Sequence, residues 1–567
     1  MRDPYKCVAP GGRRRAAAAG RIPDRYPLSV DPRPTLLEPA AVTAQEAHGG
    51  DDESAAVASP AGPGAPLDEP RPLQPLSRVV YLVAAVVFAL LMALSDRYGF
   101  HRDELYFIVC ARHLQASYVD QPILTPLITR ISLGLFGTSL VGLRLWPALA
   151  VVGTVILGGL LAREFGGGRT AQILSALGVA TSGVVFGSGH LDDTTIYDIL
   201  AWGGLALVAA RIGRTGNTKL WLIGGLVLGL GLANKHSIGF FALALFAGIL
   251  VSRGGRQVVL NRWLLAGAVL AALFTIPDLW WQAGHDWATI AMTKRLNQEN
   301  GGLGNIPTFI VGQLTVGNVG LIWVWIAGLR FLWKSGRPAW RGLAWAWAVL
   351  LVFFALTSGA KTYYLAGAYT YLVAAGAVSV EGWLTAVRRR LVIELAVMGV
   401  AGLIGLLIAL PVLPVRDINP IRPIDADVAE TVAWPVYTRE IASVWHRLPA
   451  RQRASAVIFT ADYGEAGAID VFGPSMGLPQ AVSGHNTMWW WGPGNLHATT
   501  VVAVAPGPLD VTNYGGYLRQ FFRQVRVAAT LTNHLGIKAQ EQGGHVYICT
   551  QPRHPWGQMW PRLRHYD

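Results

Sequence analysis

Long apolar runs separated by short polar breaks dominate the chain from residue 79 to residue 412. Runs of about 18 or more apolar residues, the length that spans a bilayer core, fall near 79–95, 139–162, 170–187, 194–210, 219–233, 237–252, 263–281, 307–330, 341–357, 364–386 and 391–412. They predict eleven transmembrane helices. The stretch 219–252 is one run interrupted by Asn234, Lys235 and His236, which fits either two short spans or a broken helix. Residues 1–77 are rich in Ala, Pro, Gly and Arg, carry a small acidic cluster at Asp51, Asp52 and Glu53, and show no apolar period; they predict a disordered tail. The first apolar run begins near Val79, far from the N-terminus and long enough to span, which predicts a retained first helix and no cleaved signal. Beyond about residue 415 the long runs stop. Short β-like runs at 456–460, 501–505, 524–532 and 545–550 alternate with helix-like stretches after Tyr463 and Tyr514. They predict a small soluble α/β layer domain over 415–567. The expected fold is mainly α: a polytopic transmembrane helical bundle over 78–414 followed by that domain.

Composition agrees. With 52% hydrophobic and 14% charged residues over 567 positions, the chain is too apolar for a soluble protein of this size. Its formal charge of +13 lies between apolar runs and is not gathered on a face beside readout elements, so nucleic acid is not expected as a partner. Cys7, Cys110 and Cys549 are too few and too scattered for a disulfide framework or a thiolate metal site.

Orientation follows from Lys and Arg, which cytoplasmic loops carry in excess. Every second loop holds them: Arg163 and Arg169; Arg211, Arg214 and Lys219; Arg253, Arg256 and Arg262; Arg330, Lys334, Arg337 and Arg341; Arg388, Arg389 and Arg390. That set and the Arg-bearing tail are expected to be cytoplasmic, in a cell membrane. The opposite side then receives 96–138, the turns at 188–193 and 234–236, 282–306, 358–363 and the C-terminal domain. Those segments hold Asp103, Glu104, Asp120, His190, Asp192, Asp193, His236, His285, Tyr363 and Tyr364. Ionisable groups at helix ends, not in mid-span, point to a site that opens outward.

The first outer segment reads His101-Arg-Asp103-Glu104-Leu-Tyr106 and continues to Tyr118-Val-Asp120-Gln-Pro122. The carboxylate pair fits a hydrated helix start. It also fits a general base toward an acceptor hydroxyl with a supporting carboxylate. Adjacent helical residues point about 100° apart, so the two do not share one task. Lys361, then Lys235, then Lys294 or Arg295, are the cations that could hold a phosphate; interfacial snorkelling is the alternative for Lys361. Tyr363, Tyr364, Trp280, Trp281 and Trp287 could line a sugar site or form an interfacial belt. His190, His236 and His285 lack metal-ligand spacing, so no tight structural metal is expected. A loosely held divalent ion near Asp103 and Asp192–Asp193 stays compatible with the pattern. In the C-terminal domain, Ala461-Asp-Tyr463-Gly-Glu465-Ala-Gly-Ala and Ser483-Gly-His485-Asn-Thr-Met-Trp489-Trp490-Trp491 set aromatic faces beside polar donors. A sugar surface needs both, although the Trp run could equally pack on the bundle.

An Asp-Glu pair with a following Tyr outside the first span, then an Asp-x-Pro segment, resembles the membrane glycosyltransferases of the C superfold. The similarity is to the family 39 group of protein mannosyltransferases and lipid A aminoarabinose transferases. Gly229-Leu-Gly-Leu-Ala-Asn-Lys235 and Lys361-Thr-Tyr363-Tyr364 resemble two further motifs of that group, in the same order and on the same expected face. The segment Asp120-Gln-Pro122-Ile differs in holding one proline where the family has two, and alignment on Trp202 places Thr195 where the family has an Asp, with Asp192, Asp193 and Asp198 nearby.

The resemblance implies transfer of a hexose or pentose from a polyprenyl-phosphate donor to an acceptor hydroxyl on a protein, lipid or cell-wall glycan. Asp103 would be the base, Glu104 its support and Lys361 the holder of the leaving phosphate, with Lys235 and Arg295 as further donor contacts. Tyr106, Asp120, Asp193, Asp198, Tyr363, Tyr364 and His485 would form the sugar or acceptor site. No cofactor is implied. The rival expectation is a transporter or flippase of a lipid-linked sugar, which would show internal repeats and midplane charges.

Overall fold

The computed structural model describes residues 73–299, 306–357, 360–508 and 513–566. The expected disordered tail lies outside these residues except for its last few positions, and the acidic cluster at Asp51 to Glu53 lies outside them entirely. Polar breaks end helices where the pattern requires. Helix α1 is Arg78–Leu94, started by Ser77, whose hydroxyl accepts the Val79 N–H at 3.4 Å. The segment 96–138 was expected as a loop, but it holds α2, Arg102–Arg112, and α3, Leu124–Phe136. At 11 and 13 residues they are too short and, in α2, too polar to register as spans.

Next come α4 (Leu140–Glu164), α5 (Arg169–Ala180), α6 (Gly183–His190) and α7 (Thr195–Thr215). Asn234, Lys235 and His236 divide their run into two short helices, α8 (Trp221–Leu232) and α9 (Ser237–Val251). The bundle continues through α10 (Gly255–Val259), α11 (Arg262–Ala283), α12 (Ala288–Glu299), α13 (Ile306–Thr315), α14 (Ile322–Lys334), α15 (Pro338–Leu356), α16 (Ala366–Thr385) and α17 (Arg388–Ala409). Among the described residues six helices are long and apolar enough to cross a membrane alone, and two bent pairs raise this to eight. The pairs are α5 with α6, bent by 56°, and α13 with α14, bent by 89°. All eleven expected windows therefore fall on helices, but two are broken, and α1, α8 and α9 are shorter than a straight crossing.

The two breaks meet. Asn318, between α13 and α14, donates through Nδ2 to Thr181 Oγ1 at 2.9 Å and to the Met398 carbonyl at 3.0 Å. Its Oδ1 accepts the Gly320 N–H at 2.9 Å. Irregular backbone at membrane depth persists where its polar groups find such partners or line a cavity, and these breaks do both. Helix α16 is central, with 78% of its apolar window buried, whereas α11 and α17 are peripheral at 17%. A Cβ on Gly376 would overlap the Val324 carbonyl oxygen, so α14 and α16 pack backbone to backbone because glycine stands there.

Basic loops gather at one end of the bundle. Arg214 Nε lies 2.6 Å from Glu164, and Arg337 donates to the Gly213 carbonyl at 3.2 Å. Helix α4 carries that end away from its own first turn by about 30 Å, since twenty residues rise about 1.5 Å each. At the other end, after α17, come α18 (Trp434–His446), α19 (Ala450–Ala454) and α20 (Tyr463–Phe472) with a five-stranded sheet. The strands are β1 (Ala456–Thr460), β2 (Ala481–Ser483), β3 (Thr500–Ala505), β4 (Phe522–Thr530) and β5 (His545–Pro552), in the order β2-β1-β3-β5-β4. β2, β1 and β3 are parallel; β5 and β4 are antiparallel additions. Four of the five were expected; three-residue β2 carries too little pattern to be seen. The domain shares a core with α2, where Leu105, Tyr106, Val109 and Cys110 pack with Ile441, Trp445, Ala466 and Ile469. Gly467 permits it: a Cβ there would lie 2.8 Å from Leu105.

Candidate functional site

Helix α2 begins at His101 with a capping box. The His101 N–H donates to Glu104 Oε2 at 2.8 Å, and His101 Nδ1 accepts the Asp103 N–H at 3.2 Å. With that start fixed, Asp103 and Glu104 face different surroundings. Glu104 is fully buried. Arg144 of α4 donates to both its oxygens, Nε to Oε1 and Nη2 to Oε2, each at 2.8 Å. The Asp192 N–H donates to Oε1 at 3.2 Å. Arg144 also donates to the carbonyls of Ser95 (2.9 Å) and Gly99 (2.7 Å). Glu104 thus ties the head of α2 to α4 and to the segment before α7.

Asp103 faces a cavity of about 760 Å³. Its Oδ1 accepts a hydrogen bond from Tyr463 Oη at 2.7 Å. Tyr463 is the first residue of α20, 360 positions along the chain. Asp462 caps that helix, its Oδ1 accepting the Gly464 N–H at 2.6 Å, and the Tyr463 ring lies between Tyr106, at 4.7 Å, and His485, at 4.8 Å. The polar end of the cavity carries Arg102, Asp103, Asp193, Lys361, Tyr363 and Tyr463. Its other end is apolar, walled by Val184, Val316, Val319, Ile404, Ile408 and Ala409, from the two helix breaks and α17. One cavity therefore joins a charged pocket to a greasy groove.

The electrostatics suit a carboxylate that stays ionised. Burial alone would raise the Asp103 carboxyl, but His101, Arg102, the Tyr463 hydrogen bond and Lys361 hold it below the ordinary carboxylate range. Tyr363, then Tyr364 and Asp103, keep the Lys361 ammonium above the usual lysine value in spite of its burial. Asp193 is pushed up to about 6, by burial first and by Asp103, with Lys235 opposing. Lys361 and Lys235 flank the Tyr363 ring, at 6.0 and 5.3 Å from its centroid.

Of the expected site residues, Asp103, Asp193, Lys361 and Tyr363 line the cavity, and the others do not. Glu104 is turned into Arg144. Tyr106 donates to Asp120 at 2.9 Å, and the pair is held beneath the C-terminal domain. Asp198 accepts from Ser237 Oγ at 2.7 Å. Lys235 and Tyr364 stand behind Tyr363. His485 is buried between Tyr463 and His565. Arg295 lies on α12, near enough to His565 for its charge to bear on that ring. Asp192, considered with Asp193 for a loose ion, is buried and accepts from Thr129 Oγ1 at 2.6 Å. Arg144, a single charge in an apolar run, carried no sequence signal that marked it, and Tyr463 was expected only on a candidate sugar surface, not beside Asp103.

Asp120, half-buried, illustrates the cost of desolvating a carboxyl. Its carboxyl is pushed up to about 6, chiefly by burial. In the unfolded chain it ionises near its ordinary value of about 3.9. The fold is therefore penalised above pH 6, and the penalty vanishes below about pH 4, where both states are protonated. Asp120→Asn is expected to raise the unfolding temperature at neutral pH and to leave it unchanged at about pH 4. Thermal scans in detergent at the two pH values check this.

Comparisons agree with the geometry. Residues 120–281 match a family model described as dolichyl-phosphate-mannose-protein mannosyltransferase. The lipid A galacturonosyltransferase RgtD of Rhizobium johnstonii is 24% identical over 228 residues, which is 39% of this chain and 46% of that protein; the match thus spans about half of that relative's length. The structure of ArnT from Cupriavidus metallidurans bound to undecaprenyl phosphate superposes with a TM-score of 0.57 at 13% identity, over 83% of this chain and 98% of that one. Its apo form gives 0.52 at 15% identity, over 83% and 97%. The chain therefore shares the fold of ArnT over most of its length.

Proposed function

We propose that this chain, a multi-pass membrane protein with the family 39 type fold, transfers a sugar from a polyprenyl-phosphate donor to an acceptor hydroxyl on the extracytoplasmic face. The observation that carries the reading is the cavity, where an ionised carboxylate and a lysine share a polar pocket continuous with an apolar groove. The groove suits a prenyl chain; Lys361 suits its phosphate. In the reaction the acceptor oxygen attacks the anomeric carbon while the bond from that carbon to the phosphate oxygen breaks. Its electron pair leaves with the phosphate, and the acceptor's proton passes to Asp103. Attack opposite the leaving group inverts the anomeric centre without a covalent intermediate, so positioning and leaving-group stabilisation supply the catalysis. The N-terminus and the basic loops lie on the cytoplasmic side under the positive-inside rule. The acceptor is a lipid, a peptide or a wall glycan.

The test is transfer of radiolabelled sugar from a panel of polyprenyl-phosphate sugars by membranes bearing the chain. One donor is expected to be used. Lys361→Ala is expected to weaken use of that donor by roughly ten- to a hundred-fold in kcat/KM, the worth of a charge-assisted hydrogen bond. A chain that transfers nothing from any donor yet moves labelled lipid across vesicles would sink the proposal in favour of a transporter.

A further inference from the structure

His101 is 3% exposed, and its Nε2 has no hydrogen-bond partner among the described residues. That nitrogen points toward two carboxylates on the segment leading from α17 to the sheet domain. One ligand atom each from His101, Asp427 and Glu430 lies within 4.8 Å of the others. His101 Nε2 is 3.6 Å from Glu430 Oε2. This is too long for a hydrogen bond. It is close to the spacing of two ligands on one ion, since bonds of about 2.0–2.2 Å at tetrahedral angles place ligand atoms about 3.4 Å apart.

Charge gives a second, independent reason. Among the described residues, and with His101 neutral as a metal ligand must be, the cavity is lined by five carboxylates (Asp103, Asp193, Asp425, Asp427 and Glu430) against three fixed cations (Arg97, Arg102 and Lys361). A pocket with two surplus negative charges is badly matched to a phosphate. One divalent cation corrects the balance.

We infer that His101, Asp427 and Glu430 form a divalent-cation site on the rim of this cavity. An imidazole with two carboxylates suits a first-row ion such as Zn²⁺ or Mn²⁺ better than Mg²⁺ or Ca²⁺, which prefer all-oxygen sites. Arg102 Nε is 3.2 Å from Glu430 Oε2, so ion and guanidinium hold that carboxylate from two sides. Loading requires one local change. His101 Nδ1, now accepting the Asp103 N–H at 3.2 Å, must carry the ring proton and turn it toward Asp103 Oδ2, 3.8 Å away. The result is a carboxylate–histidine–metal arrangement. The helix start survives, because the other half of the capping box, His101 N–H to Glu104, is untouched. That the ion offsets the donor's phosphate rests on the transferase reading; that it binds does not.

The experiment uses the full chain in detergent, stripped of metal with a chelator and titrated with Mn²⁺ while electron paramagnetic resonance follows the free ion; Zn²⁺ serves as competitor. One Mn²⁺ per chain, displaced by Zn²⁺, is expected. Asp427→Asn and Glu430→Gln should each weaken binding by about tenfold or more. Because the Asp427 side chain is exposed, its variant should keep the metal-free unfolding temperature, which separates ligand loss from misfolding. Absence of stoichiometric binding of either ion at millimolar concentration overturns the site, as does binding unchanged in both variants. No donor enters this measurement, so a failure of the transferase reading is seen separately.

Discussion

Asp103→Asn is expected to lower sugar transfer by about 10²- to 10⁴-fold, the usual worth of a positioned general base, while the protein stays folded. Asn keeps the size of Asp and still offers an oxygen to Tyr463 Oη, which now donates at 2.7 Å. What it loses is the charge that takes the proton. Donor binding should change little, so the loss belongs in kcat with KM nearly constant. Because its neighbours hold Asp103 below the ordinary carboxylate range, it is ionised at every pH from about 5 to 8 and contributes no acid limb there. An acid limb near pH 6 in the wild type would belong to Asp193, pushed up to about 6 in the same cavity, and Asp193→Asn would remove it. A folded Asp103→Asn that retains most of the activity ends the base assignment.

The bundle was legible because a bilayer demands long apolar runs and asymmetric charge, and both are written locally. Every expected window holds a helix, and the basic loops meet at one end as their alternation required. What escaped was set by contacts distant in sequence. The bend between α13 and α14 depends on Asn318 finding Thr181 and Met398, which no window can show. Helix α2 is too short to register as a span, and its packing on Ile441, Trp445, Ala466 and Ile469 of the C-terminal domain is invisible to a local window. Asp103, Lys361 and Tyr363 could be singled out since an ionisable or aromatic residue at a helix end carries its own signal. Tyr463 could not be assigned, because its phenol matters only where α20 meets α2. Asp120, half-buried, and His485, buried, carried a similar signal and face protein groups; polarity marks a residue as costly to bury without saying what it faces.

Arg144→Met is the structural counterpart, with an expected loss of about 3–5 kcal/mol of stability, the cost of stranding one member of a buried ion pair. Glu104 would be left buried with only the N–H donors of His101 and Asp192, and the carbonyls of Ser95 and Gly99 would lose their donor. Thermal unfolding should show a large fall, and activity should fall with it because Asp103 sits one residue from the disturbed cap. Combining Arg144→Met with Glu104→Leu removes both charges and should be less destabilising than Arg144→Met alone, since no charge is then left stranded. If Glu104 took part in the chemistry, Glu104→Gln would abolish transfer at unchanged stability. The geometry predicts that its loss of transfer follows its loss of stability, because both oxygens of Glu104 are held by Arg144 and neither reaches the cavity.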